Sequence, residues 1–399
     1  MMDIAIEPSR FTMPFLIQEY ENMLDLLQEV STSWLNSSTL VLDGLRRGMM
    51  EPYPVHEDPP GVTPYEVIAE NGKARLRYYR AVGRPQATPL LIVYALIKRP
   101  YILDLQPGSS LIEALTKQGF EVYLTDWQPP MRADAWRGFD AYVNQDLHNS
   151  VKAVQAHSGA KKISLMGYCF GGLLSTVYTA LHPETVKNFI PLTVPYDLGK
   201  QDIPLSQLTT SIDPELVVSA YGNCPAWMMK LNFTSMSPVH HLFNKHVSLY
   251  RNKERAGFAD TFALFERWMN SDVPLAGQIF RELTKELFQQ NLLAQGRFGV
   301  GGQRVDMKNI SCPVLNIVGE FDDVVHPQAS LPLVDATSSR DKQTLLFPAG
   351  HLGVIVSSSA HKKLWPQVVT WLKERDRPAA RRRTVPVAVS TSVDTAVLQ

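Results

Sequence analysis

The stretch Lys161 to Thr176, KKISLMGYCFGGLLST, decides the fold. An apolar run from Ile163 to Met166 breaks at Gly167, presents Cys169, passes Gly171 and Gly172, and resumes as an apolar helix. Strand, sharp turn and helix follow one another, with a thiol at the apex. In a Gly-x-nucleophile-x-Gly elbow the flanking positions must be small, because strand and helix approach closely around a strained turn. Gly167 and Gly171 meet that need, and Gly172 adds room where the helix begins. The bland reading is a buried cysteine beside a glycine-rich turn.

Working outward, Leu90 to Ala95, Glu121 to Thr125, Val186 to Thr193 and Val314 to Val318 are short apolar runs, as strands buried on both faces require. Tyr65 to Ala69 and Ala74 to Ala81 flank Asn71-Gly72 as a hairpin, and Thr344 to Phe347 is a last strand. Helical patterns over 109–118 and 139–156 fall between strands. Strands alternating with helices predict an α/β fold, a mostly parallel sheet with helices on both faces. Residues 198–308 break the alternation with a mainly helical stretch rich in aromatics and methionine, too long for a structureless loop. It is read as a cap subdomain inserted into a core of 63–197 and 309–375. Residues 1–62 hold an amphipathic helix over 14–48 and a Pro-rich linker, and 376–399 read as a disordered tail.

The 399 residues carry 39 Lys plus Arg against 39 Asp plus Glu, so no global field favours nucleic acid or an anionic membrane. Three widely spaced cysteines suggest a reducing compartment, with neither a disulfide framework nor a metal site. The longest apolar stretch, Leu90 to Ile97, is far too short for a membrane span, and no secretory signal opens the chain. These features predict a cytoplasmic protein.

An elbow cysteine needs a base, and the base an orienting acid. The α/β-hydrolase order is nucleophile, acid, histidine, on loops after successive strands. Val314 to Val318 ends in Gly319-Glu320-Phe321-Asp322-Asp323, and Thr344 to Phe347 ends in Pro348-Ala349-Gly350-His351. Asp322, three residues after Gly319, is favoured over its neighbour Asp323. His326 competes with His351, whereas His182, before Pro183, is read as ending the elbow helix. The oxyanion hole is expected from the backbone N–H of Phe170 and of the loop near Ile97, where Lys98 is either a surface lysine or a contact for a substrate phosphate. Sulfur suits exchange of one thioester for another, which leaves an acyl-cysteine still reactive towards an alcohol.

On these motifs the chain resembles the short polyhydroxyalkanoate synthases of class III and class IV. The similarity runs from about Thr63 to Arg375 and includes TPLLIVYALIKRPYILDLQPG at 88–108, MGYCFGG at 166–172, YGNCPAWMM at 221–229, ELFQQNLLAQG at 286–296 and FPAGHLGVIVS at 347–357. It implies an α/β-hydrolase core with a cap and a Cys169–His351–Asp322 triad. It also implies polymerisation of (R)-3-hydroxyacyl-coenzyme A, most often 3-hydroxybutyryl-coenzyme A, into polyester at cytoplasmic granules. Coenzyme A thioester is then the substrate and no cofactor is needed. A small non-catalytic subunit is the implied partner, in a homodimer or hetero-oligomer. The chain departs from the family pattern at Asp323, where His is usual, at Lys98, where Asn is usual, and in the tail beyond Arg377. A cysteine-dependent esterase or polyester depolymerase and a non-catalytic granule-coating protein are the rival readings.

Overall fold

The computed structural model describes residue 28 and residues 61–199, 209, 212–236 and 258–376. The expected N-terminal helix over 14–48, most of the linker, parts of the cap stretch and the tail after 376 lie outside the described residues.

Eight strands form one sheet: β1 (Glu66–Asn71), β2 (Ala74–Tyr79), β3 (Leu90–Val93), β4 (Val122–Trp127), β5 (Ile163–Tyr168), β6 (Val186–Leu192), β9 (Val314–Gly319) and β10 (Lys342–Phe347), with the short hairpin β7 (Gly299–Val300) and β8 (Gln303–Arg304) apart from it. Their order is β1-β2-β4-β3-β5-β6-β9-β10. The first three in that order pair antiparallel and every later pair is parallel. Every residue of β3, β4 and β5 is buried, which is why these strands read as largely apolar runs rather than alternating ones. The hairpin turns at Gly72, whose φ of +60 suits a residue without Cβ.

Helices cover the two faces: α1 (Leu111–Lys117), α2 (His148–Ser158), the elbow helix α3 (Phe170–Leu181) and, late in the chain, α8 (Trp365–Asp376). Ser110 caps α1 by accepting from the Glu113 N–H at 2.8 Å, a contact worth about 1 kcal/mol. The predicted helix over 139–156 begins with a wider turn, Ala141–Leu147, before α2, a local register change that apolar spacing does not encode. Pro366 and a charged end interrupt the apolar period of α8, yet Val368, Trp371 and Leu372 bury.

Between β6 and β9 the described residues are mainly helical: α4 (Pro214–Tyr221), α5 (Ala226–Met236), α6 (Phe258–Met269) and α7 (Gly277–Glu282), which continues as a wide turn over Leu283–Gln289.

The junction of β5 and α3 explains the glycines. A Cβ on Gly171 would collide with the carbonyl oxygens of Val93 and Tyr94, and one on Gly172 with the Val194 side chain. On Gly167 it would lie 2.5 Å from Gly172 Cα. Gly171→Ala is therefore expected to destabilise the protein by roughly 1–3 kcal/mol, the usual range for overpacking. Urea denaturation checks this, and an unchanged midpoint would contradict the close approach.

Candidate active site

The thiol stands where the packing leaves the chain no relaxed conformation. Cys169 has φ +53 and ψ −123, a left-handed backbone on a residue with a side chain. Such strain costs about 1–3 kcal/mol and persists only where surrounding contacts over-determine it. Here β5 lies between β3 and β6, the Cys169 N–H donates to the Leu192 carbonyl at 3.0 Å, and the glycines allow α3 to start directly above. The side chain is partly exposed while its neighbours on both sides are buried.

Asp322 and His351 arrive on loops at the carboxyl ends of the last two parallel strands, β9 and β10. The loops are knitted together: Glu320 N–H donates to Phe347 O at 2.7 Å and Phe321 N–H to Ala349 O at 3.1 Å. His351 Nδ1 lies 2.7 Å from Asp322 Oδ2, both groups buried. An ionised carboxylate only accepts, so Nδ1 carries the proton and Nε2 is the nitrogen available to sulfur. The other Asp322 oxygen accepts from the Val324 and Val325 N–H groups at 2.9 and 2.7 Å, which fixes the carboxylate's plane. Asp323 is exposed. His326 faces its own helix start, accepting from the Gln328 N–H at 3.4 Å, and His182 ends α3 with Nε2 3.1 Å from Asn144 Oδ1.

The electrostatics favour a proton on the imidazole. Burial alone pulls His351 down, but the Asp322 carboxylate and the Cys169 sulfur, each also a hydrogen-bond partner, raise it well above its ordinary value. The Tyr168 ring lies against the imidazole at 5.0 Å, and its hydroxyl donates to the His351 carbonyl at 3.2 Å. Sequence reasoning missed Tyr168 and Tyr94, which stacks on it at 5.7 Å, because aromatics inside strand runs read as ordinary core.

A cavity of about 80 Å³ opens over the thiol. Ile97, Phe170 and Leu173 of the core face Ile212, Met229, Phe280 and Phe288 of the helical insertion across it. Phe170 heads α3, so its N–H belongs to the first helical turn and has no acceptor within the helix. Lys98 occupies neither position predicted for it. It is largely buried, 2.7 Å from Asp272 Oδ1, and donates to the Met269 carbonyl at 2.5 Å. The insertion turns it inward, a long-range pairing that local sequence could not show. Of the other thiols, burial pushes Cys224 far up and Cys312 up to about 11, so neither is a ready nucleophile.

Residues 88–358 match the family model described as alpha/beta hydrolase fold. The poly(3-hydroxyalkanoate) polymerase subunit PhaC of Allochromatium vinosum is 38% identical over 318 residues, covering 79% of this chain and 90% of the relative. The PhaC subunit of Haloferax mediterranei is also 38% identical over 318 residues, covering 79% of this chain and 65% of that longer protein. That of Synechocystis is 34% identical over 323 residues, covering 79% and 85%. The chain therefore belongs to the poly(3-hydroxyalkanoate) polymerase family, acyl-transferring enzymes built on the α/β-hydrolase fold. No helix among the described residues is long and apolar enough to cross a membrane.

If His351 holds Cys169 reactive, its alkylation by iodoacetamide should be fast at pH 7. In His351→Gln the rate should follow the free-thiol curve and fall about tenfold at pH 7. Identical pH profiles for the two proteins would contradict the pairing.

Proposed function

We propose that this chain is the catalytic subunit of a polyhydroxyalkanoate synthase. Its substrate is (R)-3-hydroxyacyl-coenzyme A, with 3-hydroxybutyryl-coenzyme A the foremost case, and its product is polyester at cytoplasmic granules. The observation that carries the proposal is the buried Asp322–His351 pair set against the elbow thiol, under an apolar cavity.

Cys169 sulfur attacks the thioester carbonyl, forming the C–S bond to the enzyme. The developing oxyanion is met by the N–H groups of Phe170 and the Ile97 loop. The C–S bond to coenzyme A breaks, and His351 passes its proton to the departing thiolate. The neutral imidazole then takes the proton from a 3-hydroxyl, whose oxygen attacks the acyl-cysteine. A C–O bond forms, the C–S bond breaks, and the proton returns to the Cys169–His351 pair. Asp322 keeps the ring oriented and stabilises its charged form throughout. The insertion acts as the cap: its apolar side chains keep water from competing with the hydroxyl for the acyl group. That surrounding favours transfer over hydrolysis and sets this reading above the esterase one. A small non-catalytic subunit is the proposed partner, consistent with relatives that are themselves named as subunits.

The experiment is release of coenzyme A from 3-hydroxybutyryl-coenzyme A together with polymer isolation. Wild type should give both and Cys169→Ala neither. Full release by Cys169→Ala would overturn the mechanism, and free hydroxy acid without polymer would assign an esterase. Asp322→Asn should lower kcat by about 10²- to 10⁴-fold, the range for losing a triad orienter, while Asp323→Asn stays near wild type. The reverse ranking would move the acid to Asp323.

A further inference from the structure

The loop after β3 is held from two sides by consecutive residues. On the sheet side, Arg99 lies 3.1 Å from Asp126 Oδ1 and donates to the Trp127 carbonyl at 3.1 Å. Asp126 is itself buried and paired with Arg77 at 2.6 Å, so this anchor belongs to the core.

On the other side, among the described residues, the loop's hydrogen bonds and ion pair to the helical insertion come from residues 268–273. The Trp268 indole N–H donates to the Arg99 carbonyl at 2.8 Å, and the Val273 N–H donates to the Ile97 carbonyl at 3.1 Å. Lys98 inserts between them. Its ammonium meets Asp272 at 2.7 Å, donates to the Met269 carbonyl, and lies 5.4 Å from the centre of the Trp268 ring. The side chains of Lys98 and Asp272 are 11% and 5% exposed, so the charges face each other with little water between them.

A buried ion pair is weak evidence of stability, since removing two charges from water offsets most of their attraction. What such a pair supplies is geometry. Lys98 is adjacent to Ile97, which lines the cavity beside Cys169. The Ile97 carbonyl is fixed by Val273, so the orientation of that peptide segment depends on where the insertion sits. An oxyanion donor misplaced by about 1 Å loses much of its effect.

We propose that Asp272 is a positioning residue for acyl transfer: through Lys98 it ties the oxyanion loop to the insertion, so that the hole is complete only when the insertion is seated. This rests on the acyl-cysteine reading above. It makes the cap a part of the catalytic geometry as well as a cover. No bond to substrate is assigned to Lys98 or Asp272.

Alkylation of Cys169 needs the thiol and His351 but no oxyanion hole, so it separates positioning from collapse of the site. Asp272→Asn and Lys98→Met should each lower kcat for coenzyme A release by about tenfold or more, with KM and the alkylation profile within about twofold of wild type. The double variant Lys98→Met/Asp272→Leu removes both charges and should recover the thermal midpoint while kcat stays low. A kcat within twofold of wild type in the single variants would overturn the proposal. So would a loss of kcat matched by an equal loss of alkylation, or recovery of kcat along with stability in the double variant. Cys169→Ala runs alongside as the control: if it still releases coenzyme A, the acyl-cysteine reading has failed, whatever Asp272 does.

Discussion

The approach of the elbow helix to the sheet is the constraint on which the rest depends. Three glycines, Gly167, Gly171 and Gly172, allow backbone to meet backbone where any Cβ would collide with a carbonyl oxygen, a helix backbone atom or the Val194 side chain. Because helix and strand are locked together, the residue between them has no relaxed conformation, and Cys169 takes the strain in its backbone. That strain projects the sulfur above the carboxyl ends of the parallel strands, where the loops after β9 and β10 deliver Asp322 and His351.

Burial then changes what those side chains can do. An isolated imidazole in an apolar setting would lose its proton, yet the Asp322 carboxylate and the neighbouring sulfur reverse that tendency at His351. The carboxylate is held by two backbone N–H groups of the same loop, whose valine side chains also line the cavity. One short segment thus holds the carboxylate that pairs with His351 and walls the space above the thiol. The lining of that space is apolar.

Much of this was legible in the sequence for definite reasons. Buried parallel strands give continuous apolar runs, the elbow needs glycine at fixed offsets, and acid and base follow strands in a set order. Asp322 and His351 could be placed from those spacings, and the geometry brings them together with Cys169. Other features were hidden. The pairing of Lys98 with Asp272 joins residues far apart in sequence, and nothing near Lys98 reveals whether it faces water or a carboxylate. Tyr94 and Tyr168 look like core aromatics until their stacking against each other and His351 is seen. The insertion lacks a regular period, so its helices could be expected only as a group.

The most direct test of the central claim is to find the acyl group. Enzyme mixed with 3-hydroxybutyryl-coenzyme A, quenched in acid during turnover and digested, should carry hydroxyacyl units on the peptide that contains Cys169, removable by neutral hydroxylamine. Polymer formation with that peptide unmodified, or with the acyl group on another residue, would contradict the account.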